Sequence, residues 1–305
     1  MKKNKLAIII PYYKTDFFEE TVKSVSAQTN KNFTLYIGND ASPHDPLPII
    51  LKYFKKEEFN YYNYSDNLGG KNLALQWERI LENVSEEWFQ ILGDDDMISE
   101  NFVEEFYLQL PELTGKNLNI LKFRFDWVDE NNNLLKINDY GKKFFFAHEI
   151  LEKKYRLQMN NSLSENIFRN SVFRKYKFEK IPLAWGSDDL ALLKFSERKQ
   201  IIFCSNAKVI IRIYHNSISG SSEKGVEKSN AFNIYREKLI MDYSSYFSQT
   251  FIKSVLDDYL SWCHYKSKSV NWHVIFFLII NLKIFDALKT AKKIFYIKRK
   301  QSFIK

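Results

Sequence analysis

The chain has 305 residues, of which 45% are hydrophobic and 16% aromatic, and its formal net charge is +8. That length suffices for one large domain or for a domain with a helical appendage, and the composition excludes disorder on a large scale. Two cysteines, Cys204 and Cys263, stand far apart without metal-ligand spacing; they exclude a disulfide framework and a zinc site and point to a reducing compartment.

After Met1-Lys2-Lys3-Asn4-Lys5, an apolar run over 6–10 stops at Pro11. It lacks the length and the small-residue cleavage site of a signal peptide, so it is expected to be the buried first strand of a protein that stays in the cytoplasm. Apolar runs at 6–10, 33–37, 59–64, 88–92 and 120–125 alternate with helical patterns at 17–28, 48–56, 72–84 and 101–110, as in a doubly wound α/β domain. Asp129-Glu130-Asn131-Asn132-Asn133 reads as a turn after a sixth strand. The stretch 142–180 is irregular, aromatic and basic. A helix over 188–198 and strands at 201–204 and 209–214 follow. Beyond a loop at 217–225 the pattern is helical to the end. The expected organisation is an α/β domain over 1–220 and a C-terminal helical, basic extension over 221–305.

The charge is not evenly spread. Residues 270–305 carry Lys283, Lys289, Lys292, Lys293, Lys298, Arg299, Lys300 and Lys305 against Asp286 alone, so +7 of the net charge sits there. A basic tail on a nearly neutral chain suits a surface contact and disfavours nucleic-acid binding, which needs a basic face.

Parallel α/β sheets bind ligands outside the carboxyl ends of their strands. The loop after the first strand, Pro11-Tyr12-Tyr13-Lys14-Thr15-Asp16, has no glycine, which excludes a dinucleotide-binding fingerprint and a P-loop. At the end of the fourth strand stands Gly93-Asp94-Asp95-Asp96. Three adjacent carboxylates repel one another unless a cation sits among them, and their hard oxygens suit Mg²⁺ or Mn²⁺ bridging to phosphate. A solvated acidic turn before the helix near Asn101 is the alternative.

Five segments occur in one order and spacing: 6–13; Ser24-Val25-Ser26-Ala27-Gln28-Thr29; 33–39 with Asp40-Ala41-Ser42; Asn67-Leu68-Gly69-Gly70-Lys71-Asn72; and Gly93–Asp96. In this the chain resembles family 2 glycosyltransferases of the GT-A fold over about residues 5–220. The resemblance implies a Rossmann-like mixed sheet flanked by helices. It implies transfer of a sugar from a nucleotide-diphosphate donor to a hydroxyl acceptor with inversion, assisted by Mn²⁺ or Mg²⁺.

Carried over residue by residue, it implies a base-and-ribose pocket from Pro11, Tyr12 and Asp40, with Tyr12 stacking a pyrimidine and Asp40 accepting from its imide N–H. An interfacial tyrosine and an Asx turn are the alternatives. Asn67, Gly69 and Lys71 would lie beside the same nucleotide, unless they merely form a loop and helix N-terminus. Asp94 and Asp95 would face the donor, and Asp94, Asp95 and Asp96 would hold the metal, although Gly93 stands where the commonest pattern, Asp-x-Asp-Asp, has its first acid. In Trp185-Gly186-Ser187-Asp188-Asp189, Ser187 replaces the family's usual Glu; Asp188 is the expected general base, Asp189 the reserve, and Trp185 a sugar platform. Helix capping by Ser187 and two acids in the first turn would explain the same residues. In Arg212-Ile213-Tyr214-His215-Asn216-Ser217, Tyr214 takes the place of the family's metal-approaching His and His215 is shifted by one. His215 as a ligand and Arg212 as a phosphate or carboxylate partner stay open.

The apolar run 274–280 is too short to span a bilayer. Continued as one helix, it places Phe277, Ile280, Ile284, Leu288 and Ile294/Phe295 on a stripe with lysines around the rest, which suits an interfacial helix on an anionic inner leaflet; packing on the α/β domain is the alternative. The expected function is hexosyl or N-acetylhexosaminyl transfer, from a UDP-sugar by preference, to a glycan or lipid-linked saccharide in bacterial surface-polysaccharide (capsule-type) synthesis. A nucleotidyltransferase and a non-catalytic binding relative are the competing readings.

Overall fold

Leu6–Tyr12 is apolar along nearly its whole length because it is covered on both faces, as a strand in the middle of a helix-flanked sheet must be. The computed structural model describes residues 4–215, 225–266, 268–280 and 284–302. In chain order they form β1 (Leu6–Tyr12), α1 (Phe18–Ser26), β2 (Phe33–Asn39), α2 (Leu47–Ile50), β3 (Phe59–Asn63), α3 (Leu73–Leu81), β4 (Trp88–Ile91), β5 (Met97–Ile98), α4 (Phe102–Gly115), β6 (Ile120–Val128) and β7 (Leu134–Asn138). There follow β8 (Phe144–Phe146), α5 (Ala147–Tyr155), β9 (Asn166–Arg169), α6 (Asn170–Tyr176), α7 (Ser187–Ser196), β10 (Gln200–Arg212), α8 (Gly225–Met241), α9 (Gln249–Tyr265), α10 (Trp272–Ile280) and α11 (Ile284–Ser302).

The sheet runs β3-β2-β1-β4-β9-β6-β10-β5. Its first half is parallel, β3 to β2 to β1 to β4. β9 then enters antiparallel between β4 and β6. β10 lies parallel to β6 and antiparallel to β5 and β8, and β7 adds to β6. The fold class expected from the sequence, a mixed sheet flanked by helices, is the one observed.

Several readings change. The stretch 142–180, expected to be irregular, contains α5, β9 and α6, and β9 sits mid-sheet. The strands expected at 201–204 and 209–214 are one strand, β10, with a register irregularity between Cys204 and Lys208. The helix expected to end before Pro111 runs on to Gly115, because Leu110 and Leu113 are buried on either side of the proline and outweigh its missing N–H.

The chain forms two compact units, Met1–Glu227 and Lys228–Lys305. In the first, α7 is apolar nearly all round (Leu190, Ala191, Leu192, Leu193 and Phe195 are buried), which marks a helix enclosed by its neighbours. Phe195 packs edge-on against Phe168 and Phe178, each at 5.3 Å between ring centres, and so fixes α7 to β9. In the second, Tyr259 donates to Glu237 and accepts from the Asn271 N–H, tying α9 to its neighbours. The single helix expected through 274–295 is two helices that pack against each other, α10 and α11. Ile294 is buried, whereas Ile280, Leu288 and Phe295 are exposed, so the expected stripe is divided. Asn216, Ser217, most of the loop 217–225, Asn281, Lys283, Lys305 and the side chains of Ile284, Asp286, Lys298 and Lys300 lie outside the described residues. No described helix is long and apolar enough to cross a membrane.

Candidate active site

The carboxyl ends of β1, β2 and β4 are stitched together by backbone bonds: Asp40 N donates to Tyr12 O at 3.0 Å and Leu92 N to Ile9 O at 2.8 Å. The three acids therefore leave the sheet beside the loop after β1. Asp94 Oδ2 accepts from the Tyr13 and Lys14 N–H groups, both at 2.8 Å, and Thr21 Oγ1 donates to its carbonyl. Asp96 is buried; its Oδ2 accepts from Ser164 Oγ at 2.5 Å and its Oδ1 from Arg212 N at 3.1 Å. Burial pushes its carboxyl up to about 6, against the pull of Ser164 and Arg212. Asp95 lies between two acids that the protein has already engaged. Burial and the charges of Asp96 and Asp94 hold its carboxyl well above the ordinary range. A Cβ at Gly93 would stand 2.8 Å from Asp96 Oδ2 and 3.0 Å from Asp95 Oδ1, so a side chain there would require these carboxylates to shift.

Among the described residues no group of three or more His, Cys, Asp or Glu side chains is arranged to hold a metal ion. Of the candidates Asp94, Asp95, Asp96 and His215, Asp94 uses one carboxylate oxygen, Oδ2, on two backbone N–H groups, Asp96 uses both of its oxygens within the chain, and His215 is exposed. Tyr214, buried and edge-on to Phe17 at 5.0 Å, holds the position beside the acids; burial and the charges of Asp95 and Asp94 raise its hydroxyl. A dication of the Mg²⁺ type needs only one or two carboxylates, with phosphate oxygens and water completing its shell. Asp95, with Asp94 and Asp96 on either side, fits that requirement, since a cation would relieve the repulsion that Asp95 feels from both.

Arg212 is buried, and its partner is a carboxylate within the chain: Nη2 donates to Glu20 Oε2 at 2.9 Å while the guanidinium lies 3.9 Å over Phe17. With its backbone N–H on Asp96, it clamps the acidic loop to α1.

Asp40 anchors the glycine loop. Its Oδ1 accepts from Leu68 N at 2.9 Å and from Arg79 Nη2 at 2.6 Å, its Oδ2 from Gly69 N at 2.8 Å. Burial raises its carboxyl, opposed by those N–H groups and by Arg79. Ala41 beside it has φ 55°, a left-handed conformation that an L residue adopts at a cost. Gly69 must be glycine, because a Cβ there would stand 2.5 Å from Asp40 Oδ2. Asn67 accepts from the Gly70 N–H, Lys71 is exposed, and Asn72 caps α3 while donating to Ile181 O at 3.1 Å. Pro11 is half-buried at the end of β1. Tyr12 does not meet its expectation: it is fully buried, packed 4.4 Å from Phe18 and donating to His44 O, so its ring has no face for a base. Tyr13, 41% exposed, is the accessible ring of this loop.

The segment before α7 is strained. Leu183 and Ala184 have φ 58° and 51°, and Gly186 has φ 86°. This backbone presents half-buried Trp185. Ser187 is no cap; Gly186 holds the N-cap place, and Ser187 Oγ donates to Glu179 O at 2.7 Å. The two acids that follow differ. Asp189 Oδ1 accepts from Lys154 Nζ at 2.7 Å and Asn161 Nδ2 at 2.8 Å. Asp188 Oδ2 has the same two groups at 3.9 and 3.4 Å. Burial, Asp189 and Glu165 push Asp188 up to about 7 against the pull of Lys154. Behind them Asn161 Oδ1 accepts from buried Lys122 at 2.7 Å, and Lys122 pairs with buried Glu165.

Ser164 and Glu165 thus join the two halves, one bonded to Asp96 and the other paired within the network behind Asp188. Neither was found by reading the sequence, nor were Asn161, Lys154 and Arg79. One signal was available: Lys122 interrupts an apolar strand between Leu121 and Phe123, and a cation there needs a buried partner.

Carboxylates are thus gathered at the strand ends of a mixed α/β sheet and joined through Ser164, Glu165 and Asn161 to the acidic turn that opens α7. Residues 7–182 match Glycosyl transferase family 2, and the chain belongs to that family. It is 31% identical over 140 residues to an uncharacterized glycosyltransferase of Rickettsia typhi, a stretch covering 44% of this chain and 42% of that protein. It is 22% identical over 184 residues to the glycosyltransferase GlyA of Streptococcus pneumoniae, covering 60% of this chain and 24% of that one. The chain thus spans less than half the length of these relatives. The crystal structure of S. aureus TarS 1–349 in complex with UDP-GlcNAc superposes with a TM-score of 0.62 at 16% identity, over 97% of this chain and 89% of that one. The fold is accordingly GT-A-like.

Proposed function

We propose that the chain is an inverting glycosyltransferase that moves a hexosyl or N-acetylhexosaminyl group from a nucleotide-diphosphate sugar, a UDP-sugar by preference, to a hydroxyl of a glycan or lipid-linked saccharide in bacterial surface-polysaccharide synthesis. Asp188 carries the reading. It is the acid of its turn left without a short side-chain bond, and at about 7 its carboxyl is matched to proton uptake near neutral pH. Asp188 takes the proton of the acceptor hydroxyl as that oxygen bonds to the anomeric carbon from the face opposite the donor. The carbon–oxygen bond to the diphosphate breaks, and the nucleoside diphosphate leaves with the electron pair. Asp95, flanked by Asp94 and Asp96, would hold a divalent cation, which when bound supplies charge neutralisation to the diphosphate. Asp40 and Gly69 shape the donor loop on which exposed Lys71 stands. The UDP preference is supported by the fold shared with a protein crystallised with UDP-GlcNAc.

The second unit is proposed to rest on the cytoplasmic face of an anionic membrane. Supporting this, Trp272, Phe276, Ile279 and Ile280 of α10 and Leu288, Phe295 and Tyr296 of α11 are exposed beside Lys289, Lys292 and Arg299.

The test is nucleoside diphosphate release by the purified chain with Mn²⁺ and a panel of UDP-, GDP- and TDP-sugars. One donor should be turned over; Asp95→Ala should abolish metal-dependent donor binding, and Asp188→Asn should keep donor binding but lose turnover. Wild-type turnover by Asp188→Asn would overturn the base assignment.

A further inference from the structure

We infer that Lys154 on α5 is a positioning residue for the transfer: by holding Asp189 and the Asn161 carbonyl together, it fixes the first turn of α7 and leaves Asp188 as the acid open to take a proton. The inference rests on the reading of Asp188 as the base. Lys154 Nζ donates to Asp189 Oδ1 at 2.7 Å and to Asn161 O at 2.8 Å, and stands 3.9 Å from Asp188 Oδ2. Asn161 closes the ring with its amide on Asp189, so that acid has two short donors and its neighbour has none from either group.

The charges around this turn come from four elements. Lys154 is on α5, Asp188 and Asp189 are on α7, Glu165 precedes β9, and Lys122 is on β6. Two cations thus face three acids. Lys122 is matched to Glu165 and Lys154 to Asp189 at short range, which leaves one carboxylate unmatched. Asp188 is that carboxylate. Neutralising it with a proton costs less than neutralising either paired acid, because no hydrogen-bonded ion pair is broken. Lys154 thereby decides which of two adjacent aspartates is the base and how readily it gives up its proton. Its long range to Asp188 keeps that carboxylate from being locked as a permanent anion.

The test reads the Asp188 carboxyl directly, by ¹³C NMR of carboxyl-labelled full-length protein, with the resonance assigned by its loss in Asp188→Asn. In Lys154→Met the Asp188 midpoint should rise by about one pH unit or more, and in Lys154→Arg it should return towards the wild-type value. An unchanged midpoint in folded Lys154→Met overturns the inference. Should Lys154→Met not fold, the Asp189→Asn and Lys154→Met/Asp189→Asn pair keeps the network's charge balance closer to neutral. The double variant should then titrate about one unit above the single, and equal midpoints overturn the inference. Failure of the base assignment is seen separately, as turnover by Asp188→Asn, and leaves these midpoints unaffected.

Discussion

Arg79 Nη2 donates to Asp40 Oδ1 at 2.6 Å from a guanidinium that also lies 3.6 Å over the ring of Tyr64. The pair is largely enclosed, and the same guanidinium reaches Asp66 of the glycine loop after β3, with Nη1 2.9 Å from its Oδ1. Removing Arg79 leaves buried Asp40 with only the Leu68 and Gly69 N–H groups. Arg79→Met is expected to cost about 3 kcal/mol in unfolding free energy, read by urea denaturation, and to weaken nucleoside diphosphate binding as the loop loosens.

Gly69→Ala acts on the same anchor from the other side. Its methyl group would stand 2.5 Å from Asp40 Oδ2, the oxygen that accepts the residue's own N–H, so the carboxylate must move and the bond is lost. A cost of about 1–3 kcal/mol follows. Since both substitutions displace Asp40, the Arg79→Met/Gly69→Ala double variant should lose less than the sum of the two; strict additivity in the melts would contradict a shared anchor.

The pH dependence has a definite sign. A base must be unprotonated to act, and Asp188 sits up at about 7. Turnover should therefore climb roughly tenfold per unit at acid pH and level off above about 7. Asp188→Asn should lower turnover by about 10²–10⁴-fold and change donor affinity by roughly twofold or less. A flat profile between pH 5 and 8 would remove Asp188 from the chemistry.

What could be read from the sequence follows from burial. β1, β2 and β4 are covered on both faces, so they stand out as continuous apolar runs ending at Tyr12, Asp40 and the Asp triplet. The same double coverage hid the fate of Tyr12: where both faces are buried, alternation does not tell a ring that points to the ligand from one that points to the core. β9 escaped because it is four residues long and opens with Asn166, although it sits between β4 and β6. The triplet's position was legible, its division of labour was not. That division depends on partners far along the chain, Ser164 and Arg212 for Asp96 and the loop after β1 for Asp94. Asp188 and Asp189 likewise look equivalent until Lys154 and Asn161 choose between them.

The second unit should bind vesicles containing anionic phosphatidylglycerol and leave neutral phosphatidylcholine vesicles alone in sedimentation assays, with the binding reversed by salt. Phe276 and Phe295 are 62% and 67% exposed, so most of each ring lies outside the packed core of the described residues. Phe276→Ser/Phe295→Ser should weaken vesicle binding by about tenfold or more without lowering the melting temperature. Equal binding to both vesicle types would exclude an electrostatic component.

The strained turn before α7 offers the sharpest separation of stability from activity. Ala184 is buried with φ 51°, directly after Leu183 at φ 58° and directly before Trp185. An L residue in this conformation costs about 1–2 kcal/mol that glycine does not incur, while losing the buried methyl group costs about 0.8 kcal/mol. With about 0.4–1 kcal/mol more for the freedom glycine gives the unfolded chain, Ala184→Gly should leave stability within about 1 kcal/mol of wild type. Strain of this kind persists where the surroundings over-determine the backbone, and here they do so through the Ser187 bond to Glu179 O and the Asn72 bond to Ile181 O. If that tension serves to aim Trp185 and the Asp188 turn, relaxing it should lower turnover several-fold while the melting temperature hardly moves. Unchanged turnover would mean that the strain is incidental to transfer.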